Sequence, residues 1–164
     1  MQQLWTPWRY SYVTSGNKST DCPFCRAAAG DDPEAERLVV DRTPLSVVVM
    51  NLYPYNAGHV MVAPRRHVGS LSLATPEEVA ETMTLTRRLE EAMREVYKPD
   101  GLNIGMNLGR PAGAGIADHI HLHVVPRWSG DTNFMTAVAE TRVLPEALEA
   151  GWTKLHAAWP EVPA

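Results

Sequence analysis

Three histidines alternate strictly in His119-Ile120-His121-Leu122-His123, followed by Val124-Val125-Pro126. Alternate side chains of an extended strand share a face, so this spacing predicts three imidazoles on one side, about 6–7 Å apart, with Ile120, Leu122 and Val124 entering a core on the other. An imidazole, with an ordinary pKa of about 6.5, is suited to proton transfer, metal binding or nucleophilic attack near neutral pH. A lone strand histidine is most simply a polar residue facing water; three at every second position point to chemistry. Two chemistries compete. His-x-His can ligate one metal, as in catalytic zinc sites, or one imidazole can attack phosphorus and carry the transferred group covalently while its neighbours orient it.

The segment leading into the histidines, Gly105-Met106-Asn107-Leu108-Gly109-Arg110-Pro111-Ala112-Gly113-Ala114-Gly115-Ile116, carries little side-chain bulk. Its backbone N–H groups can close on phosphate oxygens, although it lacks the Lys and Ser/Thr of a P-loop. Alone such a loop is usually a turn; beside a histidine strand it supplies an anion cradle for a nucleophile. Further upstream, Cys22-Pro23-Phe24-Cys25 holds both cysteines of the chain. A pair this close cannot staple distant loops, which leaves a redox motif, a metal half-site or two idle core thiols.

The elements that must position these residues follow from periodicity and punctuation. Leu38–Asp41, Ser46–Asn51 and Gly58–Ala63 read as three short strands joined by tight turns, with Leu102–Met106 and His119–Val125 as two more. Thr75-Pro76-Glu77-Glu78 supplies an N-cap, a proline at the first helical position and a reciprocal glutamate. Val79, Met83, Leu89, Met93 and Val96 then predict the buried face of a long helix that stops near Lys98-Pro99-Asp100-Gly101. A closing helix begins near Pro145, with Leu148, Trp152, Leu155 and Trp159 on one face. The order predicts an α+β fold: a mainly antiparallel five-stranded sheet, one long helix and a C-terminal helix. Residues 1–25 read as an irregular arm made sticky by Trp5, Trp8, Tyr10 and Tyr12, one that packs on its own domain or on a second subunit.

The whole chain, 164 residues with 45% hydrophobic and 21% charged, fits one domain with an ordinary core. A net charge of −4 excludes a protein that coats nucleic acid polymers, since counterion release needs clustered Lys and Arg. An anionic ligand would then need a local basic site, for which Arg65, Arg66, Arg110 and Arg127 are candidates. No leader-like start and no run of about 18 apolar residues is present, so the expectation is a cytoplasmic protein without a membrane partner.

His119-Ile-His121-Leu-His123-Val-Val resembles the His-φ-His-φ-His-φ-φ signature of the histidine triad family of nucleotide hydrolases and nucleotidyl transferases. Leu4–Arg9, Asn51–His59, Asn103–Gly109, His123–Trp128 and Gly130–Met135 are similar to its bacterial branch of diadenosine tetraphosphate phosphorylases, so the resemblance covers nearly all of residues 1–164, read as one domain. It implies that His121 attacks the α-phosphorus of a nucleotide, for instance a dinucleoside polyphosphate, that His123 binds phosphate or leaving-group oxygens, and that Asn107 stands near the scissile phosphate. The amides of Ala114, Gly115 and Ile116 would line the oxyanion side, and Asn51 takes the place of an Asp that grips ribose in relatives. It further implies a structural Zn²⁺, one per chain, held by Cys22, Cys25, His67 and His119, and a homodimer joined across the sheets. His59 is shared with some relatives and otherwise reads as a hydrogen-bonded structural residue; His156 reads as a surface residue, and Trp128 either stacks on a base or packs inside. The alternatives are a metalloenzyme whose three clustered histidines share a metal, and a nucleotide-binding module without chemistry.

Overall fold

The computed structural model describes residues 22–131 and 146–160. The aromatic arm and the Thr132–Pro145 segment lie outside the described residues. Five strands, β1 (Val39–Arg42), β2 (Ser46–Met50), β3 (Val60–Pro64), β4 (Gly101–Met106) and β5 (Leu122–Arg127), form one antiparallel sheet in the order β1-β2-β3-β5-β4. Short helices α1 (Pro23–Ala29) and α2 (Pro33–Glu36) precede them, α3 (Pro76–Tyr97) connects β3 to β4, and α4 (Leu148–Ala157) closes the chain.

The strands divide their side chains between two cores. Val48, Met50, Val60, Val62, Leu122 and Val124 face α3 and α4, where Leu85, Leu89, Met93 and Leu155 are fully buried. Val47, Val49 and Ala63 face the other way, against Phe24, Ala27 and Ala28 of α1. Each large aliphatic side chain so buried contributes about 1.5–3 kcal/mol. The histidines stand on this second face.

α3 begins as the sequence predicts: Thr75 Oγ1 accepts from the Glu78 amide, and Glu78 reaches back to the Thr75 amide in a capping box. Its buried face holds Leu89 and Met93 as predicted but is rotated over the rest of the helix. Val79 and Met83 are exposed, and Glu78, Thr82, Thr86 and Arg88 are buried in their place. The reason is local satisfaction of polar atoms: Thr82 and Thr86 hydroxyls donate to the carbonyls of Glu78 and Thr82, at 2.8 and 2.7 Å, so each threonine offers the core only its methyl. Glu78 is neutralised by a two-pronged ion pair with Arg66.

Three further expectations shift. The cysteine pair, expected at the end of the arm, lies at the start of a helix, with Cys22 at the N-cap of α1 and Pro23 at its first position. The closing helix starts at Leu148; its Leu148, Trp152 and Leu155, with Trp159 just past its end, pack on the α3-side core as expected. Finally, β5 starts at Leu122, so His119 and His121 precede the strand proper. In register, Val62 pairs with Leu122, and the ladder would continue to Pro64, which has no N–H to give. The Pro64 carbonyl is taken instead by the His119 ring.

Candidate functional site

β5 and the residues leading into it hold three histidines in three different hydrogen-bonding states. The His119 Nε2–H donates to the Pro64 carbonyl at 2.7 Å, leaving the Nδ1 lone pair outward. The His121 Nδ1–H donates to the His119 carbonyl at 2.9 Å, which leaves the lone pair on Nε2. At His123 the order is reversed. The Tyr55 amide donates to His59 Nδ1 at 3.0 Å, so a neutral His59 carries its proton on Nε2, and this Nε2–H donates to His123 Nδ1 at 2.9 Å. A neutral His123 therefore keeps its own proton on Nε2. The rings of His121 and His123 meet edge to face, centroids 4.8 Å apart, closer than an ideal strand repeat allows for. One presents a lone pair; the other presents an N–H.

Burial keeps both rings uncharged. It pushes the His121 pKa below the ordinary histidine value against the raising effect of the His119 carbonyl, and it pushes His123 down to about 4 with help from His121. Phe24 packs tilted over His121 at 4.6 Å, and Tyr55 stacks on His123 at 5.6 Å. Sequence reasoning missed Phe24 and Tyr55, and for His59, which is fully buried, it gave no link to the cluster. For Phe24 a signal existed, since it lies between the two cysteines and follows wherever they are anchored. For His59 the signal is the pairing of β3 with β5, which local periodicity does not reveal.

The loop between β4 and β5 wraps the same end. Met106 pairs with Leu122 at the end of the ladder, and Asn107 follows it directly at the start of the loop. Within the expected cradle, the Ala114 amide is already engaged by the Gly109 carbonyl at 3.3 Å. The amides of Gly115 and Ile116 have no hydrogen-bond partner among the described residues. Of the candidate cations, Arg66 is paired with Glu78, Arg127 with Asp131, and Arg65 caps the carbonyls of Ala28 and Thr43. Arg110, in the loop itself, is exposed and has no ion pair among the described residues. Trp128 meets Tyr97 at its ring edge, 6.2 Å between centroids, and His156 stacks on Trp152 at the surface.

Cys22, Cys25, His67 and His119 form a second cluster, with all four ligand atoms within 4.8 Å of one another. Cys22 Sγ and His119 Nδ1 are 3.2 Å apart, Cys25 Sγ and His67 Nδ1 3.2 Å, and Cys25 Sγ and His119 Nδ1 3.6 Å. Tetrahedral zinc with ordinary Zn–S and Zn–N bonds places sulfur and nitrogen about 3.5 Å apart, so the donor set and its spacing fit such an ion. The Pro64 carbonyl fixes the His119 tautomer that ligation requires. With His119 turned into this cluster and His123 Nδ1 occupied by His59, the three strand histidines do not converge on a shared metal.

A family model described as the HIT domain matches residues 32–130. The chain is 40% identical to an AP-4-A phosphorylase of Mycobacterium tuberculosis, covering 99% of this chain and 87% of that one. It is 37% identical over 90 residues, 55% of this chain and 49% of the other, to a bis(5'-nucleosyl)-tetraphosphatase (asymmetrical) of Schizosaccharomyces pombe. Among solved structures, a Zn-bound histidine triad family protein from Mycobacterium smegmatis superposes with a TM-score of 0.69 at 33% identity, covering 86% of this chain and 94% of that one.

Proposed function

Because the chain belongs to the histidine triad (HIT) family of nucleotide hydrolases and transferases, we propose that it cleaves a dinucleoside polyphosphate such as diadenosine tetraphosphate at an α-phosphate, through a nucleotidyl group carried on His121. The observation that carries this reading is the pair of opposite tautomers. The lone pair on His121 Nε2 attacks the α-phosphorus; a P–N bond forms as the bridging P–O bond breaks, and a nucleoside polyphosphate departs with the electron pair. His123, with its Nε2–H, binds a phosphate or leaving-group oxygen. Asn107 and the amides of Gly115 and Ile116 receive the equatorial oxygens, with Ala114 lending its short side chain to the turn. Phosphate or water then attacks the phosphorus and returns the electron pair to His121. Phosphate as acceptor yields ADP, and water yields AMP.

Cys22, Cys25, His67 and His119 would hold one Zn²⁺ as four protein ligands, a structural role in which it would tie the start of α1 to the sheet. Thiolate ligands belong in a reducing compartment, which supports a cytoplasmic location. β4 is an outer strand with Asn103, Ile104 and Gly105 exposed, which supports a homodimer across that edge. Sedimentation at micromolar concentration is expected to give twice the chain mass.

The test is to mix the protein with diadenosine tetraphosphate with and without inorganic phosphate, identify the products, and acid-quench for a nucleotidyl adduct. His121→Asn is expected to abolish turnover while nucleotide binding persists. Full turnover in that variant, or binding of AMP with no turnover on any dinucleotide, would overturn the reading, the second result in favour of a binding module.

A further inference from the structure

Phe24 joins the two histidine clusters. In sequence it lies between Cys22 and Cys25, two of the four residues that gather with His67 and His119. In space its ring packs on His121, 4.6 Å between centroids with a tilt of 31°, and on His119 at 5.3 Å. The hydrogen bond from His121 Nδ1 to the His119 carbonyl fixes one ring atom and leaves the plane free to swing about it. His123 meets the same ring edge to face, at 74°. Phe24 lies against the face. His123 is held from other segments, by His59 and Tyr55 of the loop that opens with Asn51, whose Oδ1 accepts from the Tyr53 amide at 2.9 Å.

We propose that Phe24 is a positioning residue for the nucleophile: held in place by the cysteine cluster, it sets the plane of the His121 ring and so passes the state of that cluster to position 121. α1 has seven residues, too few to be stable as an isolated helix, and Cys22 gives its N-terminus no side-chain hydrogen bond. The start of the helix therefore takes its position from its anchors. These are the thiols, with Cys22 Sγ 3.2 Å from His119 Nδ1 and Cys25 Sγ 3.2 Å from His67 Nδ1, and the packing of Phe24 with Ala27, Ala28, Val47 and Ala63. Phe24 is 2% exposed, which leaves almost none of its ring for a nucleobase, so its influence on the reaction runs through His121. An aliphatic side chain would fill the same space in the core, but a flat ring is what the imidazole face can stack on.

The inference rests on the proposed reaction only for its kinetic consequence, and its first test needs no substrate. In unliganded, zinc-loaded, ¹³C-histidine-labelled protein, the ring current of Phe24 is expected to hold a His121 ring-proton resonance upfield. Phe24→Leu, which keeps an apolar side chain, is expected to release it. Chelation of the metal is expected to move the wild-type resonance toward its Phe24→Leu position, and to move it less in Phe24→Leu itself. A His121 resonance unchanged by Phe24→Leu, or one moved equally by the chelator in both proteins, would overturn the inference whatever the substrate proves to be. In turnover of diadenosine tetraphosphate, Phe24→Leu is expected to lower kcat about tenfold, short of the roughly hundredfold that a misplacement of about 1 Å can cost, with KM within about twofold. Val39→Ala, in the same core but on the outer strand β1, is expected to lower the melting temperature while kcat stays within about twofold. A raised KM with unchanged kcat in Phe24→Leu would overturn the inference in favour of a nucleobase contact. A lower melting temperature with both constants unchanged would overturn it in favour of a plain core residue.

Discussion

Gly58 is the position where one methyl group tests how tightly the histidine loop is held. It sits at φ +73°, in the left-handed region, directly before His59. A Cβ there would lie 2.7 and 2.9 Å from Cε2 and Cζ of the Tyr97 ring and 3.2 Å from Cγ of Pro126. The backbone conformation costs an L-residue about 1–2 kcal/mol. Overpacking against a ring and a proline costs about 1–3 kcal/mol more, since neither neighbour is a flexible chain end. Gly58→Ala is therefore expected to destabilise by about 2–5 kcal/mol, a fall in melting temperature of roughly 5–15 °C for a domain of this size. Whatever the loop does to relieve the clash also moves His59 against His123, so kcat should fall in the fraction that remains folded. A double-mutant cycle separates the two contributions. Tyr97→Ala gives the new methyl room, so the packing share should be recovered while the backbone share persists. Denaturant melts of the four proteins measure both. A single-variant loss below about 0.5 kcal/mol, or strict additivity in the cycle, would refute the claim that the Tyr97 ring braces this loop.

Three other outcomes follow from the site and its supports. Removing metal with a chelator is expected to lower the melting temperature and expose both thiols to titration; because burial and the Cys22 charge push the Cys25 thiol up to about 11, zinc uptake at neutral pH should release the Cys25 proton, measurable with a pH indicator. His123 titrates at about 4 when folded and near 6.5 when unfolded, so its neutral form favours the native state above about 6.5 and that contribution is lost as pH falls from there through about 4. His123→Asn should flatten this part of the difference between melts at pH 7 and pH 5, and an unchanged difference would contradict it. Thr75→Ala removes one side of the capping box and is expected to cost about 1 kcal/mol with kcat unaltered, as a thermal melt paired with a turnover assay would show.

The parts of this molecule that could be read from the sequence are those whose cause is local. The capping box needs only Thr75, Pro76 and Glu78. The stop of α3 needs only Lys98, which adopts φ +45°, and Pro99. The alternation of His121, Leu122 and His123 survives into the structure because two residues per repeat is a property of any extended chain. The rotated face of α3 was hidden because Thr82 and Thr86 look polar until their hydroxyls are satisfied by the preceding turn. Arg88 looks charged until it is paired with Asp41 and laid over the Trp159 ring at 4.7 Å. The parts that escaped are relations between segments far apart in sequence: Phe24 over His121, and His59 against His123 across 64 positions.

One of those non-local relations, His59 against His123, set beside the local bond from His121 to the His119 carbonyl, decides how two identical side chains, two residues apart, come to differ. On residue type alone His121 and His123 are interchangeable, and burial lowers both pKa values in the same direction. What separates them is the atom each meets at Nδ1. A carbonyl can only accept, so His121 must protonate Nδ1 and expose a lone pair; the His59 Nε2–H donates, so His123 must leave Nδ1 bare and keep its proton outward. In the proposed reaction the first is the form that attacks and the second the form that binds oxygen. Exchanging the partners would exchange the roles, without altering a single residue of the triad.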